Sequence, residues 1–439
     1  MSSAGNWREL IETEALVRAG GCDLHLHSSA SDGTLSAADL ARASIEAGLR
    51  YVCLTDHDTL AGQEKFLRAL RELSGEISAL VGVELSTTYD FRGRRAKLHL
   101  LAYFGDLNQA LGLQPYLDEQ LRLRRKRNFA LLARLQELGY QLSDDFAAGL
   151  EGDALIARPH FALELVARGY VSSVAAAFEE LLGEGRPTYL DVSRPQLGEA
   201  ISKIHEAGGL AVLAHPQKTP FFDFSPLYGL SERSLDFGRS LKRLGLDGIE
   251  VWHGDATRTE QLGLAALAHS VQLPRTAGSD FHGSLRAREI YRGDRQFLRR
   301  EYIVTAACLW RGDQIFLAER APGEYSAGFY EFPGGKLEAG EDFRTALLRE
   351  LDEELGLELD LAAIPELPSF FLAAERDDSN LYLALFELTL PDSAKWQLHV
   401  HSQGGFYTIE EARELNLLPL DRPLLEQLRP RASQDSYLG

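Results

Sequence analysis

Between Cys22 and about His282 short β-branched or apolar runs alternate with helical stretches, and this rhythm restricts the possible folds more than any other feature. The strand candidates are Cys22–His27, Tyr51–Thr55, Ile77–Leu85, Leu98–Phe104, Leu210–Ala214, Asp247–Trp252 and the run into Ser279. A βαβα order of this kind builds a mostly parallel sheet, open or closed. The segment from Gln109 to about Arg186 breaks the rhythm, being almost wholly helical and amphipathic, and reads as an inserted helical subdomain. Arg286 to Arg300 (RAREIYRGDRQFLRR) is basic and polar and reads as a connector. From Glu301 onward the pattern changes to strands, one Gly-rich turn, one strong helix, more strands and a closing helix. At 439 residues the chain exceeds what one hydrophobic core organises. Two domains are therefore expected, residues 1–285 and 301–439, joined by 286–300.

Apolar content of 45% and charged content of 25% are those of a soluble globular protein. Residues 1–21 read as polar and helical, without the basic start and apolar run of a signal peptide, and no stretch reaches the length of a membrane span. Cys22, Cys53 and Cys308 sit singly in apolar runs, which suits buried thiols in a reducing compartment and points to the cytoplasm. No membrane association and no stable protein partner is evident. A net charge of −19 argues against binding nucleic acid over the whole surface, and leaves room for a local basic site.

The densest chemistry lies in DLHLHSSASDG. Residues two apart in a strand share a face, so Asp23, His25 and His27 point one way. Asp32 follows in the loop, TDHD supplies Asp56, His57 and Asp58, and GVELS supplies Glu84. His99, His215 and the pair Asp280 and His282 complete the series. A lone histidine such as His205 or His269 is usually a satisfied surface or core residue. Acids and histidines recurring at the ends of successive parallel strands are different, because α/β folds place their sites there. Nitrogen and oxygen donors without sulfur suit Zn, Mn or Fe, and more than six such groups exceed the needs of one ion. Phosphoryl chemistry is the usual work of such clusters.

The motifs DLHLHSSASDGTLS, YVCLTDHDTLAG, GVELS, ARPHFALELVARGYV, LAHP and GSDFHG resemble the PHP (polymerase and histidinol phosphatase) phosphoesterases. The resemblance is to the TrpH-type branch, which includes 3′,5′-nucleotide bisphosphate phosphatases and 5′→3′ exoribonucleases. It implies a distorted (β/α)7 barrel with a helical insertion and about three transition-metal ions. One ion would take His25, His27, Glu84 and Asp280, a second Asp32, His57 and His282, and a third His99 and His215 with Glu84 bridging. Asp58 is assigned to catalysis. Arg158 and His160 would grip a substrate phosphate, a role that suits the guanidinium fork, although Arg158 could equally cap the insertion through an ion pair. The insertion also carries RLRRKRN, with Arg122, Arg124, Arg125, Lys126 and Arg127. Such a run is usually a solvated face. Against an acidic background it could instead track a nucleic-acid backbone, beyond the span of a single nucleotide held at the metals.

In the second part, Glu350, Glu353 and Glu354 fall at i, i+3 and i+4 on one helical face, with Leu347, Leu351 and Leu355 opposite. Acid-rich surface helices are common. Three like charges crowded on one face still favour a bound cation, and oxygen-only ligands select Mg²⁺ or Mn²⁺. Residues Gly335 to Leu357 match the Nudix signature G-x5-E-x7-R-E-U-x-E-E-x-G-U, and Glu301 to Leu428 resembles the MutT branch. That implies an α/β/α sandwich on a mixed sheet which hydrolyses a nucleotide's diphosphate bridge. Glu350, Glu353 and Glu354 would hold metal, with Glu353 and Glu341 assigned to catalysis. Glu341 and Arg349 would orient the carboxylates, and Arg320 and Lys336 would contact phosphates. Two departures stand out. KWQLHVHSQGGF lacks the expected loop acid and carries His399 and His401 instead, and Asp421 replaces a base-reading Asn. An acid there prefers an amino-bearing base edge, as in cytosine.

The expectation is a bifunctional, metal-dependent hydrolase acting on nucleotides or short 5′-phosphorylated oligonucleotides. The rival readings are a Nudix domain that only senses nucleotides, which its intact glutamates oppose, and a first domain acting as a histidinol-phosphate-like phosphatase.

Overall fold

The computed structural model describes residues 21–73, 77–151, 156–190, 194–225, 229–283, 300–338, 340–376, 379–391 and 393–429. The expected N-terminal helix and all of the connector except Arg300 lie outside the described residues. The chain divides into two compact units. The first is Met1–Thr219, Arg243–Ala256 and Leu273–Leu298; the second is Pro220–Lys242, Thr257–Gln272 and Arg299–Gly439. The helices Glu232–Arg243 and Arg258–Ser270 group mainly with the second unit.

All seven strand candidates of the first unit form. They are β1 (Cys22–Leu26), β2 (Tyr51–Leu54), β3 (Ser78–Phe91), β4 (Arg94–Phe104), β5 (Leu210–Leu213), β6 (Gly248–His253) and β7 (Arg275–Gly278), hydrogen-bonded in that order. Every pairing is parallel except those of β4, which runs antiparallel to both β3 and β5. The ends of the sheet meet: Leu26 bridges Phe281, and the Asp23 carboxylate accepts hydrogen bonds from Ser279 N at 2.9 Å and Oγ at 2.6 Å. The result is a nearly closed seven-stranded barrel. Helices α1 (Ala37–Glu46) and α2 (Gln63–Leu73) cover β1 and β2 through Leu40, Phe66 and Leu70, all buried with Leu26, Val52 and Leu54. Each such side chain contributes roughly 1.5–3 kcal/mol on leaving water.

The insertion has a core of its own. Leu131 and Leu135 of α3 (Gln114–Glu137) pack with Phe161 and Leu165 of α4 (Arg158–Ala167) and with Leu182. It therefore holds α3 and α4 against each other.

In the second unit the sheet is mixed. Strand β8 (Arg300–Arg311) runs antiparallel to β9 (Gln314–Glu319) and parallel to a later strand. After β10 (Tyr330–Glu331), β11 (Gly334–Lys336) pairs with β8. Helix α5 (Phe343–Leu355) starts at Asp342, whose carboxylate accepts the Thr345 amide, and ends at Gly356 in the left-handed region, φ 58°. Strands β12 (Phe370–Glu375), β13 (Ser379–Thr389) and β14 (Gln403–Thr408) follow, with β13 lying parallel to β8. The closing helix is α6 (Asp421–Gln427).

Candidate active sites

Parallel strands deliver their carboxyl ends to one rim, and there the barrel collects its histidines. Glu84, fully buried in β3, is their hub. Its Oε2 lies 3.2 Å from His25 Nε2, 3.1 Å from His27 Nε2 and 3.0 Å from His57 Nδ1. Its Oε1 lies 2.8 Å from His99 Nδ1 and 3.1 Å from His215 Nε2. Asp280 Oδ1 sits 3.3 Å from His27 Nε2 and 3.6 Å from His25 Nε2, and Asp32 Oδ1 sits 3.0 Å from His282 Nε2.

Three groups bring their ligand atoms within 4.8 Å of one another: His25, His27, Glu84 and Asp280; His27, Asp32, His57 and His282; and His57, Glu84 and His99. His215 belongs to none of these and reaches the cluster through Glu84. His25 Nε2, both ring nitrogens of His27, His57 Nδ1 and Glu84 Oε2 are buried without a hydrogen bond of normal geometry. Burial without a partner costs free energy, and a cation among these nitrogen and oxygen donors removes that cost, so the residues fit divalent metal. Burial drives His57 down to about 3 and His215 to about 4. His27 is raised to about 9, because Asp280 and Glu84 outweigh its burial.

Backbone strain and hidden acids hold the cluster. Asp58, His215 and Asp280 take φ of 51°, 31° and 54°, a region costly to residues other than glycine, and all three lie just beyond strand ends. Glu250, in β6, was not foreseen as a site residue: its Oε1 pairs with His25 Nδ1 at 2.9 Å and its Oε2 accepts the His215 amide at 2.7 Å. An acid inside the apolar run GIEVW was the available signal, since a buried carboxylate needs partners. His253 and Lys218 were also missed; Lys218 Nζ lies 3.3 Å from Asp280 Oδ2. Asp56 has a supporting role and accepts hydrogen bonds from Ser28 N, Ser28 Oγ and Ser31 Oγ, each at 2.7 Å.

A cleft of about 250 Å³ opens on Asp32, His57, Asp58 and His99, and Arg124, Arg127, Arg158 and Arg194 also line it. Burial and then the neighbouring Arg124, Arg158 and Arg194 lower the Arg127 guanidinium to about 9. Arg158 lies over the Tyr189 ring at 5.3 Å and donates to Leu182 O. His160 Nδ1 accepts the Ala157 amide at 3.0 Å, capping α4, and His160 is not among the residues that line the cleft. The basic stripe divides by helical phase. Arg124 and Arg127 face the metal-ligand cluster, while Arg122 pairs with Glu119 on the exposed side. The expectation that a single nucleotide at the metals cannot span to this helix is thereby corrected, because Arg124 touches Asp58.

In the second unit Arg349 binds Glu341 through two bonds of 2.9 Å and Glu350 at 2.8 Å. The Arg349 guanidinium, with the Glu338 amide, pulls Glu341 down to about 2. Glu354 Oε2 accepts the Gly334 amide at 3.0 Å, and burial raises this acid to about 7. Glu353 is the exposed member of the trio. A cleft of about 590 Å³ is lined by Arg320, Glu331, Lys336, Arg376 and Asp421 among others. Lys336 Nζ lies over the Tyr302 ring at 5.1 Å. Arg320 is committed to Glu331, with bonds of 2.7 and 2.9 Å. His401 Nε2 lies 3.1 Å from Glu331 Oε1, and His399 Nδ1 lies 3.2 Å from the Glu353 carbonyl. Glu331 was not foreseen; EF before PGGK carries no spacing signal. Buried Asp421 is raised to about 8 by desolvation and by Glu331.

A histidine–carboxylate cluster at a barrel rim, and a glutamate helix on a mixed sheet, define a hydrolase with two separate phosphate-directed sites. Residues 23–152 match the PHP domain and residues 301–428 the NUDIX domain, and the chain belongs to both families, as a bifunctional hydrolase. Both families are metal-dependent. The chain is 33% identical over 260 residues to a 5′-3′ exoribonuclease of Haemophilus influenzae, covering 59% of this chain and 89% of that protein. It is 39% identical over 124 residues to the CTP pyrophosphohydrolase of Escherichia coli, covering 28% of this chain and 87% of that one. A solved amidohydrolase from Chromobacterium violaceum, with bound sulfate and no metal, is similar to it at 27% identity and a TM-score of 0.51. The match covers 62% of this chain and 90% of that structure.

Proposed function

We propose that the first site hydrolyses phosphoesters of 3′,5′-bisphosphorylated nucleosides or of short 5′-phosphorylated oligonucleotides. The observation that carries this is the cleft itself, which is lined both by the candidate metal ligands Asp32, His57 and His99 and by four arginines. Crowded guanidiniums repel one another, and a second phosphate relieves that repulsion while the first lies at the cluster. The exoribonuclease relative is consistent with such a substrate. About three Mn, Zn or Fe ions would be held, one by His25, His27, Glu84 and Asp280, one by Asp32, His57 and His282 with His27 in reach, and one by His99 and His215 through Glu84. Bound there, they supply an activated water and neutralise phosphoryl oxygens. Arg158, Arg124 and Arg127 bind the second phosphate, and Asp58 holds Arg124 in place.

The second site hydrolyses the diphosphate bridge of a nucleoside triphosphate, with Mg²⁺ or Mn²⁺ on Glu350, Glu353 and Glu354, and Lys336 on phosphate. Asp421 reads an amino-bearing base edge, which agrees with the CTP-hydrolysing relative. We take residues 1–285 and 301–439 as the two functional domains. Three free, buried cysteines fit a reducing cytoplasm.

The test is a phosphate-release screen with Mn²⁺-loaded protein. Wild type should release phosphate from a 3′,5′-bisphosphorylated nucleoside or shorten a 5′-phosphorylated oligonucleotide, and should release pyrophosphate from CTP. Absence of both first-site reactions in a metal-replete preparation would sink the first assignment, and a preference for UTP over CTP would sink the second.

A further inference from the structure

Asp280 presents its two carboxylate oxygens to different company. Oδ1 faces His27, His25 and His282, at 3.3, 3.6 and 3.5 Å. Oδ2 faces away from those rings, towards Lys218 Nζ at 3.3 Å and His253 Nε2 at 3.7 Å. Lys218 is itself held by Asp255 Oδ2 at 3.2 Å, and it ends the short turn Pro216–Lys218 that directly follows His215. His253, at the end of β6, has a fully buried side chain. Its Nδ1 accepts the Asp255 amide hydrogen at 3.0 Å, so that nitrogen carries no proton and the hydrogen of the neutral ring is on Nε2. That Nε2 makes no hydrogen bond of normal geometry in the described structure, and its nearest carboxylate is Asp280.

We propose that Lys218 and His253 are positioning residues that clamp Asp280 Oδ2, so that only Oδ1 is offered to a metal ion. The proposal rests on the metal-binding reading of the cluster given above. An aspartate can turn about its side-chain bonds and chelate an ion with both oxygens. A hydrogen bond from Lys218 to Oδ2, with the His253 Nε2–H aimed at the same oxygen from 3.7 Å, restrains that freedom, as outer-shell partners do at other metal sites. The clamp also accounts for the left-handed backbone of Asp280, which aims the carboxylate between the two sides.

Simple electrostatics and the clamp predict opposite signs. An ammonium beside a ligand repels a cation, so as a bystander its removal should tighten metal binding. If Lys218 is part of the clamp, Lys218→Met should weaken Mn²⁺ binding, by about 10–100-fold on the scale of other outer-shell losses. The readout is competition with a chromophoric chelator, together with metal content per chain after dialysis. His253→Leu should behave alike, while Lys218→Arg and His253→Gln, which keep a donor, should stay within about threefold of wild type. In an Asp280→Ala background the Lys218→Met effect should vanish, because a residue acting through Asp280 has nothing left to hold. Lys218 is partly exposed, so its replacement tests the clamp even if His253→Leu does not fold. Unchanged or tighter Mn²⁺ binding by Lys218→Met overturns the clamp, as does an equal loss in the Asp280→Ala background. A wild type that binds no Mn²⁺ overturns the metal-site reading and the clamp with it.

Discussion

Arg124, midway along the inserted helix, forms an ion pair with Asp58, the residue after His57 at the end of β2. The other oxygen of Asp58 accepts the Ser86 amide at 2.9 Å. The insertion is thereby tied to the barrel rim at the cluster, and a helix that could have been a remote nucleic-acid track forms a wall of the cleft.

Arg124→Ala should therefore impair turnover of a bisphosphorylated mononucleotide as well as of an oligonucleotide. A hydrogen bond to a charged group is worth about 1.5–3 kcal/mol, so the loss in kcat/KM should be about 10–100-fold on both. Arg122→Ala should change either by less than about twofold, since Arg122 faces solvent with Glu119. Steady-state kinetics on the two substrates decides this, and a loss confined to the oligonucleotide would contradict the geometry.

The two sites are chemically separate, so their activities should separate by mutation. Asp280→Asn should abolish phosphate release from the first-site substrate and leave CTP hydrolysis within about twofold. Glu353→Gln should do the reverse, with at least about a hundredfold loss of pyrophosphate release, in the range that removal of a charge-stabilising group costs. Parallel assays on one preparation of each variant suffice. A variant that loses both activities with its fold intact would mean the sites depend on each other.

Asp421 makes the second unit's stability fall as pH rises. Its carboxyl is raised to about 8 by burial and by Glu331, with Arg320 opposing, whereas unfolded aspartate ionises near 3.9. Between those values the folded chain holds a proton that the unfolded chain has lost, so folding weakens by up to about 1.4 kcal/mol per pH unit. Asp421→Asn has no proton to lose, and its urea midpoint should drop less between pH 5 and pH 8 than that of wild type. Parallel pH profiles for the two proteins would show that Asp421 ionises normally.

Gly335 is packed against the Glu350 carboxylate so closely that a β-carbon there would overlap it. Gly335→Ala should displace Glu350, weaken Mg²⁺ dependence of CTP hydrolysis and lower kcat, with first-site activity unchanged. A Mg²⁺ titration with wild-type midpoint in this variant would show that Glu350 is not needed for the ion.

Much of this was legible in the chain. The seven strands, the inserted helices and the glutamate helix follow from periodicity, because period-2 and period-3.6 patterns are local and each element carries its own. The histidines and acids could be grouped because strand ends in α/β folds share a rim. Glu250 and Glu331 escaped notice, since each acquires its partners only through the tertiary fold. The His160 ring also caps α4 through Nδ1, a role decided by the local turn.

The sequence by itself determined which segments become strands and helices and which residue types could bind metal or phosphate, since these are properties of local pattern and of side-chain chemistry. Only the tertiary structure decided that Glu84 would stand among five imidazoles, that Arg124 and not Arg122 would reach the cleft, and that Asp280 would have one oxygen on each side of a divide. The physical reason is range: hydrogen bonds and ion pairs act over about 3 Å, while the residues that make them here lie up to 256 positions apart in the chain.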